Sequence, residues 1–317
     1  MRVSIIAALA LFAAAASAQA ADSLKVTISH KSSWDAVPCL VAQDKGFFKE
    51  QNLDITFINA AGGSETVQTV ATGSVQIVAN ASVHAAVAAY AKGAAIRIFA
   101  NQVTGSPDVF WYVKADSPIK KAEDLGGKNV VYSRPNSVTD LIIRNFAKER
   151  KLTLNLIAGG DLPAVRTMLM TGQADAAWSA APFAADALKK GEVRILFTGD
   201  DVTAAKTVVS RISLVNADYL KTNRDVVRRF QVATQKSLDY IYGPGFDATI
   251  QWFAQINDQD VDAIRKIAPM FGSKQQRVLS PLARFDEAVN QAVEFGLIKQ
   301  KLTDAQMKEL VDVVEAK

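Results

Sequence analysis

The groups that could do covalent chemistry are few and scattered. Cys39 is the single cysteine of 317 residues, and His30 and His84 stand 54 positions apart. No carboxylates cluster, no nucleophile-elbow glycines surround a serine, and no glycine–lysine phosphate loop is present, so the spacings suit neither a metal site nor a hydrolase. What the chain does offer is small polar residues at places that read as strand-to-helix turns. These are Gly63-Ser64, Asn80-Ala81-Ser82, Ser137-Val138-Thr139 and Ser179-Ala180. A helix start exposes unpaired N–H groups and a partial positive charge, which suits an anionic or polar ligand. Each serine is equally suited to plain N-capping.

Larger side chains surround those turns. Trp34 and Trp178 follow or end apolar runs, where an indole can form a wall and donate one hydrogen bond. Arg134 and Arg211 could grip a planar anion with two prongs, or could be solvated charges or an ion pair between lobes. Gln102, with Asn101 and Thr104, follows a strand, and His30 ends the first one. Trp111, Phe110 and Trp252 read as packing. The expected ligand-binding set is Trp34, Gly63, Ser64, Asn80, Ala81, Ser82, Gln102, Arg134, Ser137, Thr139, Trp178 and Arg211, with no cofactor. Two tryptophans favour a ligand with an apolar body. Cys39 reads as a small buried apolar residue.

Elements that would hold these residues alternate from Leu24 to Ile195. Strand-like runs at 24–29, 54–59, 76–79, 96–102, 129–132, 154–158, 174–178 and 194–197 are separated by helical runs. That alternation predicts an α/β fold with largely parallel strands. After Asn216 only helical runs follow, the last opened by Thr303 with Gln306 at capping-box spacing. Thr72-Gly73-Ser74-Val75-Gln76-Ile77-Val78 and Thr171-Gly172-Gln173-Ala174-Asp175-Ala176-Ala177 form a weak repeat, as two similar lobes would. Apolar crossings at 109–113 and 208–215 bound the insert. The expected division is residues 22–116 plus 208–317 in lobe one and 117–207 in lobe two.

Trp34, Pro38, Gly46-Phe47-Phe48, Leu53-Asp54-Ile55 and Gly62-Gly63-Ser64 occur in order, followed by Ser117-Pro118-Ile119, Asp124-Leu125-Gly126-Gly127-Lys128 and Ser133-Arg134-Pro135-Asn136-Ser137. This series resembles the periplasmic substrate-binding proteins of ABC importers, in the nitrate, sulfonate and taurine group. The resemblance implies a two-lobed type II periplasmic-binding fold, each lobe a mostly parallel sheet flanked by helices, with a helical C-terminal tail. It also implies capture of a small, anionic organic ligand by lobe closure and delivery to the permease subunits of an importer. Related readings are a sensory ligand-binding protein, or a thiamine-pyrimidine precursor binder or enzyme of the same fold. The enzymes of that group carry a cysteine-rich motif beside an iron-binding, histidine-using site, and this chain has no such cluster. Glycine usually stands where this chain has Asn136, which tolerates positive φ better than other side chains.

Met1-Arg2, the apolar run 5–16 and Ala18-Gln19-Ala20 read as an export signal, 1–21, cleaved to leave a periplasmic protein. The full chain has 36 basic and 32 acidic residues, a net +4. No basic run points to nucleic acid, and a monomer is expected.

Overall fold

The structure is a computed structural model that describes residues 20–60 and 62–316. Apart from Ala20 and Ala21, the expected export signal lies outside the described residues. Among the described residues ten strands form two sets: β1 (Asp22–Ser29), β2 (Leu53–Ala60), β3 (Ile77–Ser82), β4 (Ile96–Thr104) and β10 (Val209–Asn216) in one, β5 (Val109–Lys114), β6 (Asn129–Tyr132), β7 (Asn155–Ala158), β8 (Ala177–Ala180) and β9 (Val193–Thr198) in the other.

The first sheet has the order β2-β1-β3-β10-β4. In the second, β8-β5-β9 and β6-β7 are joined by a parallel bridge between Val130 and Ala176. The two orders are the same pattern, which gives the weak repeat its physical meaning. Thr72-Gly73 and Thr171-Gly172 each close a helix with a left-handed glycine, φ 74° and 78°, ahead of β3 and β8.

The sheets are mostly parallel, as expected, with one reversed strand in each: β10 runs antiparallel to β3 and β4, and β5 to β8 and β9. Both strands lie next to a crossing between sheets, so neither enters its sheet through a strand–helix–strand unit. For the same reason β5 belongs to the second sheet, ahead of the expected boundary at 116. Nor do all of residues 208–317 accompany the first sheet. The helices Phe246–Ile256 and Val261–Ile267 bury Ile250, Phe253, Ala263 and Ile264 in one cluster with Ala184 and Ala185 of the second unit. Lys189 Nζ sits 2.7 Å from Asp260, and Gln259 donates to the Phe183 carbonyl at 3.4 Å.

Candidate functional site

Strand ends from both sheets meet in one narrow cavity of about 30 Å³. From the first sheet come Ser29 and His30 at the end of β1, Asn80 on β3 and Arg211 on β10; from the second, Trp178 and Ala180 on β8. The loop Ser133–Ser137 and the start of the helix Val138–Glu149 complete the wall. Carboxyl ends of parallel strands are where open α/β sheets take ligands, because helix N-termini converge there.

Local chemistry fixes each wall. Asn80 holds the left-handed conformation, φ 56°, and its Oδ1 accepts from the Ser29 amide at 2.9 Å and the Ser29 hydroxyl at 3.1 Å. Its Nδ2 is buried without a partner among the described residues, and so is Trp178 Nε1. Gly63 lies so close to β3 that a Cβ there would stand 2.9 Å from the Ser82 amide nitrogen. Opposite, Ser133 Oγ, Ser137 Oγ and Thr139 Oγ1 form a triangle with sides of 2.8–2.9 Å. Ser137 also caps its helix, accepting from the Asp140 amide at 3.2 Å. Asn136 carries φ 65°, so asparagine does support the left-handed turn expected there.

The cavity floor is a chain of buried charges. Arg277 Nη1 lies 3.1 Å from Asp35 Oδ1, and Asp35 Oδ2 lies 2.6 Å from Arg211 Nε. Arg211 Nη1 and Nη2 donate to Asp108 at 3.1 and 3.2 Å. All four residues are at most 7% exposed. His30, φ 46°, sets its ring edge-on to Trp178 with centroids 5.2 Å apart. Burial lowers the His30 pKa to about 4, with Arg211 adding to the shift and Asp35 opposing it. The imidazole is therefore neutral at pH 7.

The sheets also touch across the cleft mouth. Ser82 Oγ donates to the Asn136 carbonyl at 2.8 Å, and Glu65 and Arg134 pair at 3.3 Å.

Of the residues expected from sequence, Gly63, Asn80, Ser137, Thr139, Trp178 and Arg211 line the cavity. Ser64 and Arg134 line a separate outer groove. Ser82 caps the helix Val83–Ala91, and Ala81 is packed in apolar core. Gln102 is turned to the neighbouring strand, donating to Ser213 Oγ at 2.5 Å. Trp34 is not a wall. Its ring stacks on Phe271 at 3.8 Å, and its Nε1 donates to the Tyr242 hydroxyl at 3.2 Å. An indole with an aromatic partner and a satisfied N–H has nothing left to offer a ligand. Missed were Asp35, Ser29, Ser33 and Ser133. Asp35, one residue past Trp34, carried a signal in its charge; the serines are ordinary loop residues in sequence.

Residues 34–244 match the family described as NMT1/THI5 like. The chain belongs to this family. A Saccharomyces cerevisiae relative, 4-amino-5-hydroxymethyl-2-methylpyrimidine phosphate synthase THI13, is 24% identical over 222 residues, or 65% of this chain. The chain spans 63% of that relative's length. Among solved structures, the alkanesulfonate-binding protein SsuA of Xanthomonas axonopodis pv. citri, bound to MOPS, is similar with a TM-score of 0.75 at 14% identity, over 92% of this chain and 98% of that one. The periplasmic aliphatic sulphonate binding protein SsuA of Escherichia coli gives 0.72 at 16%, over 90% and 91%. The periplasmic nitrate-binding protein NrtA of Synechocystis gives 0.71 at 14%, over 92% and 86%. These likenesses show that this NMT1/THI5-like chain has the periplasmic-binding-protein fold.

Proposed function

We propose that this protein is an exported solute receptor that captures a small organic ligand, a sulfonate or related acid foremost, between its two lobes. It delivers that ligand to the permease subunits of an ABC importer as a periplasmic monomer. The observation that carries this reading is the pair of unpartnered buried donors, Asn80 Nδ2 and Trp178 Nε1, contributed to one cavity by the two sheets. A buried donor left unsatisfied costs about 1–3 kcal/mol. An oxygen-rich head group reaching both nitrogens removes that cost only when the lobes are together, and so shifts the population toward the closed form.

Other features agree with a transported small molecule. The three structural neighbours are named for binding sulfonates and nitrate. No helix among the described residues is long and apolar enough to cross a membrane. The N-terminal pattern of Arg2, the apolar run and Ala18-Gln19-Ala20 supports export.

The yeast synthases in the family favour a second reading, an enzyme of pyrimidine chemistry. Against it stands the cysteine inventory: Cys39 is buried, and burial raises its thiol to about 12, far from a nucleophile's or metal ligand's range. A thermal-shift and calorimetry panel of alkyl and aryl sulfonates, taurine, nitrate, aromatic carboxylates and aminopyrimidines tests both readings. Saturable stabilisation, about 2.7 kcal/mol at a hundredfold excess over Kd, with the compound recovered intact supports the receptor. Binding of the aminopyrimidines alone, the product class for which the yeast synthases are named, favours the second reading, and no shift with any member contradicts the receptor.

A further inference from the structure

Among the described residues the cavity is lined by one cation, Arg211, and its charge is already spent. Each of its three guanidinium nitrogens is engaged by a carboxylate, Nε by Asp35 and the two Nη by Asp108. Arg277, behind the floor, is held by Asp35 and by the Phe271 carbonyl, which accepts from its Nε at 3.0 Å and its Nη2 at 2.8 Å. Burial raises the Asp108 carboxyl to about 6, so it is ionised at neutral pH. Two negative and two positive charges therefore cancel beneath the ligand space. At the mouth, Arg134 is paired with Glu65, and His30 on the wall is neutral. Of the residues that line the cavity, those with a donor left over are uncharged, the Asn80 amide and the Trp178 indole; Arg134 Nε, buried without a hydrogen bond and 3.3 Å from Glu65, belongs to the outer groove.

We propose that the cleft reads its ligand's head group as a set of hydrogen-bond acceptors rather than as a charge, and that Asp35 is the specificity-determining residue because it cancels Arg211. The inference rests on the receptor reading and sharpens its ligand class. A bare inorganic anion, whose hydration shell only a strong field would strip, is disfavoured. An uncharged sulfonyl or carbonyl compound is accepted about as well as the isosteric acid.

Calorimetry on acid–neutral pairs tests this: benzenesulfonate against benzenesulfonamide, methanesulfonate against dimethyl sulfone, and benzoate against benzamide. For any pair that binds, the wild-type affinities are expected within about tenfold of each other and nearly independent of salt. Asp35→Asn uncovers part of the Arg211 charge and is expected to raise the preference for the acid by about tenfold or more, with salt dependence appearing. Asp108 does not line the cavity, so Asp108→Asn, which loosens only its pairing with Arg211, is expected to do the same without altering the cavity wall, and it serves if Asp35→Asn does not fold. A wild-type preference for the acid of about a hundredfold or more, unchanged in both variants, overturns the proposal while leaving the receptor standing. Binding by no member of any pair removes the receptor reading for acceptor-headed solutes, and the inference with it.

Discussion

Asn80 and Trp178 illustrate how far a side chain can be read before its neighbours are known. Asn80 was legible as a polar residue between a strand and a helix. Its division of labour, one amide oxygen bracing Ser29 and one amide nitrogen left over, depends on β1 lying beside β3. Trp178→Phe keeps the ring and removes one donor, so it is expected to weaken ligand binding about tenfold with little change in melting temperature, read by calorimetry and thermal unfolding. Asn80→Ala is expected to weaken binding similarly and also to destabilise the fold by about 1–3 kcal/mol in denaturant unfolding, since the Ser29 amide loses its acceptor. Trp34 shows the opposite case. Its type and place suited a ligand wall, but Phe271, more than two hundred residues later, stacks on it, and no local pattern announces such a partner.

The histidines give a pH signature at the same scale. His84 is 5% exposed, and its Nε2 meets the Gln291 amide oxygen at 3.0 Å. Burial lowers its pKa to about 4, so between pH 6.5 and 4 the unfolded chain binds the extra proton. Stability is therefore full above pH 6.5 and falls as the pH drops toward 4, by up to about 3 kcal/mol for this group. His84→Gln is expected to flatten that slope in melting temperature against pH. A slope unchanged by the substitution would assign the acid sensitivity elsewhere.

Elements were the most legible layer. The helix Val138–Glu149 is announced by Ser137 and Asp140, and Thr303 with Gln306 does form a capping box. The alternation to residue 195 finds each strand, most within a residue or two, but the run at 174–178 starts three residues ahead of β8 and the run at 76–79 stops three short of the end of β3. Strand direction was not legible: β5 and β10 look like any other apolar run, and their antiparallel pairing follows from where the chain crosses between sheets. Two predictions belong here. Ser137→Ala removes a cap and one corner of the hydroxyl triangle, so it is expected to cost about 1 kcal/mol in denaturant unfolding and to weaken ligand binding. Gly63→Ala forces a methyl against the β3 backbone at the cavity edge and is expected to cost about 1–3 kcal/mol and to lower affinity. Wild-type affinity and stability in Gly63→Ala would show that the close approach is easily relaxed.

For the whole molecule, two sheets of the same order face each other, with crossings at 104–109 and 198–209 and the helices of 246–267 laid onto the second unit. The buried chain Arg277–Asp35–Arg211–Asp108 takes Asp108 from the first crossing, Arg211 from β10 just past the second, Asp35 from the loop after β1 and Arg277 from the segment after the helices of 246–267, so it ties these parts together under the ligand space. Two lobes were legible from the repeat and the apolar crossings. The helices of 246–267 were not, because an amphipathic helix does not say which sheet it covers. The central claim is that one small solute is held between the lobes by donors from both. It is tested most directly by calorimetric titration of the sulfonate, carboxylate and aminopyrimidine panel into the wild-type protein and Trp178→Phe side by side. One compound class binding the wild type at a stoichiometry of one, and the variant about tenfold more weakly, is the predicted result. Equal affinity in the two proteins, or no saturable binding in either, would contradict it.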